Sequence, residues 1–247
     1  MSRSFEELDY RPTPIGTLSL RRRRLPGSEQ EVYEIKLDEA YLMSSRFTAA
    51  EVELARLGLA GLEGEELAVV VGGLGLGYTA RAALDDPRVG ALLVVEALGP
   101  VVEWHRQGLL PLGAGLSADP RCRFVEGDFF ALAADPGAGF DPEQAGRRFD
   151  AVLLDIDHSP RKLLDSGNAA FYEVEGLRRL AAQLRPGGIF ALWSNDPPDE
   201  AFLAALEQVF QAVRAEVVGF ASAEGDRQDS NTVYLGVAPP AAPAAGA

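Results

Sequence analysis

The chain reads as an α/β protein of the doubly wound kind, with a mostly parallel seven-stranded sheet and a short N-terminal β-hairpin element. Three observations predict this. Apolar, β-branched runs at 67–71, 91–95, 149–154 and 189–193 alternate with stretches of helical periodicity. The runs are continuous rather than alternating, which requires a sheet covered by helices on both faces. The first run empties into Gly72-Gly73-Leu74-Gly75-Leu76-Gly77 and a helix, and the second ends at Glu96. A strand, a glycine turn, a helix and a second strand closed by an acid form a mononucleotide-type site. Its backbone lies open to a ligand, and its acid accepts ribose hydroxyls. An adenosine-containing cofactor is therefore expected at the ends of these strands.

The elements follow in order. Residues 1–12 are polar and expected to be loose. Ile15 to Arg22 and Glu31 to Leu37 are strand-like, and Leu25-Pro26-Gly27-Ser28 between them is a turn signal. Thr48 begins a helix, with Glu51 three residues on as in a capping box, and Val52, Leu54, Ala55, Leu57 and Leu59 give it an apolar face. Strand 67–71 leads to helix 78–84, and strand 91–95 to helix 100–109. Strand 122–125 ends at Glu126-Gly127-Asp128, and 135–148, rich in Gly, Pro and charge, reads as a surface insertion. Strand 149–154 ends at Asp155. Helix 169–184 stops at Arg185-Pro186-Gly187-Gly188, a strong helix-stop turn. Strand 189–193, helix 199–212 and strands 215–220 and 232–237 complete the sheet. The division expected is a hairpin element over 1–47, a nucleoside-binding catalytic domain over 48–238 and a low-complexity, disordered tail over 239–247.

Composition narrows the class. At 247 residues and 47% hydrophobic content, one large domain with a small appendage has enough apolar surface for a full core. A net charge of −14 argues against nucleic acid as main partner, because phosphate backbones need cationic faces. The single cysteine, Cys122, excludes an intrachain disulfide and fits a reducing, cytoplasmic location. With two histidines beside it, no zinc site is expected. No segment has the roughly 20 apolar residues of a membrane span, and no apolar stretch follows the N-terminal charges as in a signal peptide. Arg21-Arg22-Arg23-Arg24 reads as a solvated hairpin edge.

The candidate site residues lie at strand ends. Gly75-Leu76-Gly77-Tyr78-Thr79-Ala80 fits a dinucleotide turn, while Gly73-x-Gly75-x-Gly77 fits the nucleoside turn of S-adenosylmethionine enzymes equally well. Glu96 is placed to accept both ribose hydroxyls, and Asp128 to accept an adenine amino group or to cap the turn beginning at Phe129. Asp155, Asp157 and His158 form the densest chemical cluster. A carboxylate there can orient an amine and take its proton, two close carboxylates raise one another's pKa, and His158 is a candidate base near neutral pH. Tyr172 and Asn195 are candidate substrate contacts, and Trp193 a candidate pocket wall.

Taken together, Val-Val-Val-Gly72-Gly73-Leu-Gly75-Leu-Gly77, Val-Val-Glu96, Glu-Gly-Asp128, Phe149-Asp-Ala-Val-Leu-Leu-Asp155, Phe171-Tyr172 and Leu184-Arg-Pro-Gly-Gly188-Ile-Phe resemble the spermidine synthase (polyamine aminopropyltransferase) family. That family lies within the Rossmann-like, class I S-adenosylmethionine methyltransferase fold. The resemblance covers roughly residues 30 to 237. It implies that Gly73 to Gly77 and Glu96 hold the nucleoside and ribose, that Asp128 contacts adenine, and that Asp155 binds and deprotonates the attacking amine. The implied reaction moves an aminopropyl group from decarboxylated S-adenosylmethionine, as co-substrate, to a small-molecule amine, with no metal. Three departures bear on the acceptor more than on the cofactor. Where the family carries Asp-x-x-Asp-Pro, this chain reads Asp155-Ile-Asp157-His158-Ser159-Pro160. Its glycine turn lacks the family's aspartate. Where a Tyr-His pair opens the family's helix, this chain reads Thr48-Ala49-Ala50-Glu51. Methyl transfer from S-adenosylmethionine itself, and a non-catalytic protein with a degenerate site, stay open as alternatives; a nicotinamide enzyme is more distant. The sequence leaves the oligomeric state open, a homodimer included.

Overall fold

In a computed structural model of the chain, residues 5–13, 15–221 and 228–240 are described. The N-terminal part forms a four-stranded antiparallel sheet in the order β1 (Phe5–Thr13), β2 (Gly16–Arg24), β3 (Glu31–Leu37), β4 (Ala40–Ser44). The hairpin read from the sequence is its β2–β3 pair, with Leu20 opposite Ile35. Residues 5–12, expected to be loose, are instead strand β1. Their polarity reflects one partly exposed face, and Glu6 pairs with Arg22 of β2 at 2.6 Å. That ion pair and its neighbour Arg23–Glu34, at 2.8 Å, place the arginine run in the sheet itself.

After helix α1 (Ala49–Ala60) the chain alternates through β5 (Leu67–Gly72), α2 (Tyr78–Asp85), β6 (Val89–Glu96), α3 (Gly99–Arg106), α4 (Gly113–Ala118), β7 (Cys122–Glu126), α5 (Phe129–Ala134) and β8 (Phe149–Leu154). It continues through α6 (Val174–Ala181), β9 (Leu184–Ser194), α7 (Glu200–Glu207), β10 (Gln211–Ala221) and β11 (Gln228–Val237). The second sheet has seven strands in the order β10-β11-β9-β8-β5-β6-β7. Strands β5 to β9 run parallel, and β11 inserts antiparallel between β9 and β10. This is the doubly wound, methyltransferase-type sheet expected. The strand order reverses between β5 and β8, where a crevice opens for ligands.

The continuous apolar strands divide residue by residue between two cores. Val69, Val71, Leu92 and Val94 pack on α1, α2 and α3 through Leu54, Ala80, Ala83 and Val102. Ala68, Val70, Leu93 and Val95 face α5, α6 and α7 through Phe129, Leu177, Leu180 and Phe202. Successive strand side chains point to opposite faces, so covering both faces makes every position apolar. Leu18, Leu20 and Ile35 of the small sheet join the first core. Trp104 of α3 donates its indole N–H to Asp9 of β1 at 2.7 Å, and Arg11 reaches Glu103 at 3.1 Å.

Several expectations are corrected. The run 169–184 is not one helix: a 3₁₀ turn over Ser166–Tyr172 is capped by Asp165, Glu173 is extended, and α6 begins only at Val174. Gly176 of α6 lies so close to the Ala170 carbonyl and Phe171 that the two segments cross rather than continue. Arg185-Pro186-Gly187-Gly188 does not end a helix directly; it bulges from β9 between the pairs Phe149–Leu184 and Ala151–Ile189. The helices expected at 100–109 and 199–212 end at Arg106 and Glu207. The segment 135–148 is not only a surface insertion. Phe140 is fully buried, stacked on Phe129 at 4.9 Å, and buried Asp141 accepts from Arg123 and Arg147. Of the tail expected to be disordered, residues 241–247 lie outside the described residues, as do 1–4 of the loose N-terminus. No helix among the described residues is long and apolar enough to cross a membrane.

Phe140→Ala is expected to cost about 3–5 kcal/mol of unfolding free energy, the cost of emptying an aromatic core position. A surface position would change it by only about 0.5 kcal/mol. Urea denaturation of the two proteins checks this.

Candidate active site

The site begins at the end of β5. Gly72 is fully enclosed, and a β-carbon there would meet the Phe129 ring at 2.6 Å and Leu154 at 2.9 Å, so this glycine makes room for packing. Gly73 turns the chain with φ +92°, a left-handed conformation that side chains resist, and a β-carbon would collide with the carbonyl of Asp155. Gly75 lies under the Met43 thioether of β4. Gly77, with φ +91°, starts α2 beside Leu116 and His105. Gly73 and Gly75 line a cavity of about 320 Å³ under this turn; Gly72 and Gly77 shape the turn from behind.

Glu96, at the end of β6, lines the same cavity and is 9% exposed. Its two oxygens each accept a backbone N–H at 2.9 Å, from Leu74 in the glycine turn and from Leu98 ahead of α3. Burial pushes its pKa up against these bonds. Each oxygen keeps a further lone pair for a ligand hydroxyl. Asp128 also lines this cavity and caps α5, accepting from Phe130 N–H at 2.9 Å and Ala131 N–H at 3.3 Å, both on Oδ1. The capping and ligand readings are therefore compatible, since Oδ2 remains an acceptor.

A second cavity, of about 500 Å³, lies toward α1 and the β10–β11 end of the sheet. The two cavities share Leu42, Met43, Asp155, Ile156 and His158. Asp155, directly after β8, gives its N–H to the Gly72 carbonyl at 2.8 Å and accepts from the Thr79 hydroxyl of α2 at 2.8 Å. Burial pushes its pKa up to about 6, against the Thr79 bond. Glu51 of α1 lines the same cavity, its pKa pushed up to about 8 by burial and then by the charge of Asp155.

The structure brings Asp155 and His158 together but turns Asp157 away. Asp157 is 3% exposed and lines neither cavity; it accepts from Leu164 N–H at 2.6 Å, the Tyr172 hydroxyl at 2.7 Å and Asn168 at 3.3 Å. It thereby ties down the loop behind the site. Tyr172 likewise is buried among Phe130, Phe171 and Phe202 and meets the site only through Asp157, because the break before α6 points it inward. Asn195 lines the second cavity, donating its N–H to the His158 carbonyl at 2.7 Å and accepting from Asn231 at 3.1 Å. Trp193 walls that cavity, and its buried indole N–H has no hydrogen-bond partner among the described residues. Such a donor is met by water or by a ligand atom.

Three residues were missed from the sequence. Glu51 reads there as half of a capping box, but Thr48 makes no side-chain cap bond and Glu51 faces the cavity instead. Thr79 reads as an ordinary first-turn residue. His105, fully buried, bonds the Gly75 carbonyl at 2.8 Å and holds the turn from behind; burial pushes its pKa down. Only its position two turns into the helix after Glu96 could have signalled it. Burial pushes the Cys122 thiol up to about 12, far from nucleophilic use. Among the described residues no group of three His, Cys, Asp or Glu side chains is placed to hold a metal ion.

The parallel sheet, the glycine turn closed by Glu96 and the small N-terminal sheet laid over them define a spermidine synthase-like fold. Solved structures sharing it include spermidine synthase from Thermotoga maritima, at 16% identity and TM-score 0.69 over 94% of this chain and 72% of that one. A spermidine synthase in complex with the transition state analogue AdoDATO matches at 18% identity and TM-score 0.71, over 94% and 73%. A probable spermidine synthase from Corynebacterium glutamicum ATCC 13032 matches at 16% and 0.62, over 94% and 79%. No family model matches the chain. At this identity the likeness is one of fold.

Asp155 and Glu51 both hold a proton more tightly folded than unfolded. The stability this contributes is complete below the ordinary carboxylate range. It is lost as pH rises through about 6 for Asp155 and about 8 for Glu51. Glu51→Gln is therefore expected to raise the Tm of the ligand-free protein at about pH 9 and to change it far less at about pH 5. Thermal denaturation across that range checks the sign.

Proposed function

We propose that this protein is an aminopropyltransferase-type enzyme that moves a group from decarboxylated S-adenosylmethionine to a small amine. The cavity under the glycine turn takes the donor and the cavity beside α1 takes the acceptor. The observation that carries this reading is the charge of the walls. Among the described residues the donor cavity is lined, beyond Glu96 and Asp128 at its nucleoside end, by Asp155 and Asp165 and by no lysine or arginine. A donor that keeps its carboxylate would set that charge among acids, whereas the decarboxylated donor ends in an ammonium that they attract. The fold shared with a spermidine synthase in complex with a transition state analogue supports the same assignment.

In this reading Glu96 receives the ribose hydroxyls and Asp128 the adenine edge. Asp155 stands where the two cavities meet, held by Thr79. It takes a proton from the acceptor ammonium. The freed lone pair attacks the methylene bonded to the sulfonium, the C–N bond forms, the C–S bond breaks, and its electron pair stays on sulfur as neutral methylthioadenosine. Catalysis is positioning plus one proton acceptor. Methyl transfer is the second reading, favoured by Thr48-Ala49-Ala50-Glu51 at the place where the resembled family has its Tyr-His pair.

Thermal shifts with S-adenosylmethionine, its decarboxylated form, methylthioadenosine and S-adenosylhomocysteine separate the two. The decarboxylated donor and methylthioadenosine are expected to stabilise, by about 2.7 kcal/mol at 100 times the dissociation constant. Preference for the carboxylated pair would make the protein a methyltransferase, and no shift with any of the four would make the site non-catalytic. Asp155→Asn is expected to leave methylthioadenosine affinity within about two-fold while lowering turnover by about 10²–10⁴-fold, the contribution of general base catalysis. Isothermal calorimetry and steady-state kinetics check the two halves.

A further inference from the structure

Asp157, the second acid of the cluster in the sequence, is spent on Tyr172, Leu164 and Asn168 and lines neither cavity. A carboxylate from a different element reaches the acceptor cavity instead. Glu51 stands in the first turn of α1, a helix whose start is left without a side-chain cap. It lines the cavity together with Asp155, walled by Phe47, Trp193 and Phe220. Among the described residues neither acid forms an ion pair, and no lysine or arginine lines the cavity. Two half-buried carboxylates without a cation are costly, and a cationic ligand between them removes the cost.

We infer that Glu51 is the second acid of the acceptor site, forming with Asp155 a carboxylate pair that grips the reacting ammonium and carries off its proton. This rests on the aminopropyl reading above. The other titratable groups around Glu51 are Tyr78 of α2, His158 after β8 and Asp229 of β11; Arg46 stacks on the Phe47 ring at 5.1 Å beside the neighbouring groove. Burial, and then Glu51, push the Tyr78 phenol up, so it stays neutral and adds no charge to the pair. In the ligand-free protein burial pushes both carboxyls up, and the two titrate as a unit. An entering ammonium displaces to solvent any proton that the pair holds, and both carboxylates then face it. One ammonium proton passes to the pair as nitrogen attacks carbon, the C–S electrons go to sulfur, and the pair then releases that proton to solvent. The product leaves as a secondary ammonium beside neutral methylthioadenosine, so charge and protons balance.

Two measurements test this. The first needs no turnover: carboxyl-carbon NMR titrations of the unsubstituted protein, E51Q and D155N. A glutamate resonance titrating far above the ordinary range, absent in E51Q and moved to lower pH in D155N, is expected. A Glu51 that titrates as an ordinary glutamate, or that D155N leaves unmoved, overturns the pair. The second is calorimetry of 1,4-diaminobutane binding to protein saturated with methylthioadenosine, in buffers of differing ionisation heat. E51Q is expected to weaken diamine binding at least ten-fold and to change the protons released, with methylthioadenosine affinity unaltered and E51D recovering part of the loss. Diamine binding that E51Q leaves within two-fold overturns the inference alone. No methylthioadenosine binding by the unsubstituted protein overturns the functional reading and this inference with it.

Discussion

The Asp155 carbonyl occupies the space that a β-carbon on Gly73 would need, and the Asp155 N–H closes on the Gly72 carbonyl at 2.8 Å. This close approach of two strand ends, at the point where the sheet changes direction, sets the spacing of the rest of the site. It leaves the backbone of the glycine turn bare toward one cavity and delivers the Asp155 side chain to the boundary with the other. Glu96 and His105 clamp the turn from two further sides, through Leu74 N–H and the Gly75 carbonyl. A turn so held is preorganised: a ligand meets a surface already shaped, with little ordering left to be done on binding.

The small N-terminal sheet is part of the site rather than an ornament on it. Met43 of β4 sits on Gly75, Ile15 and Ile35 line the turn cavity, and Phe47 walls the outer one. Trp104 to Asp9 and Arg11 to Glu103 join that sheet to α3, whose other residues brace the glycine turn. The cavity walls are therefore built by two sheets that have no strand in common.

The acids fall into two kinds by what surrounds them. Asp157 is satisfied by a backbone N–H, a phenol and an amide, so its charge is used up in holding a loop. Asp155 has one hydroxyl partner, and Glu51 faces Asp155 across the same cavity without an ion pair among the described residues. Burial pushes Asp157 up as well, so it is the number of partners, not the shift, that separates the two kinds. The sequence order Asp155-Ile156-Asp157 gives no hint of this division, because it depends on where Tyr172 and Leu164 come to lie.

How much was legible follows from range. The strands, their parallel sheet, the glycine turn and the placement of Glu96, Asp128 and Asp155 at strand ends all rest on patterns within about 30 residues, the span of one βαβ unit. The β-branched runs and glycines carry that pattern in the residues themselves. What local pattern does not carry is contact between distant segments. β1 reads as a loose tail because its polar residues are answered by arginines some 16 residues away. Phe140 reads as surface because its partner Phe129 lies across a turn of Gly, Pro and charge. Glu51 reads as half of a helix capping box because its cavity is built by Asp155, about 100 residues further on. The sequence by itself determined the doubly wound sheet and the glycine turn with the acids at its strand ends, since local periodicity and glycine geometry are enough to specify them. Only the tertiary structure decided which acids face the outer cavity, because a carboxylate's protonation and partners depend on burial and neighbours that no local pattern encodes.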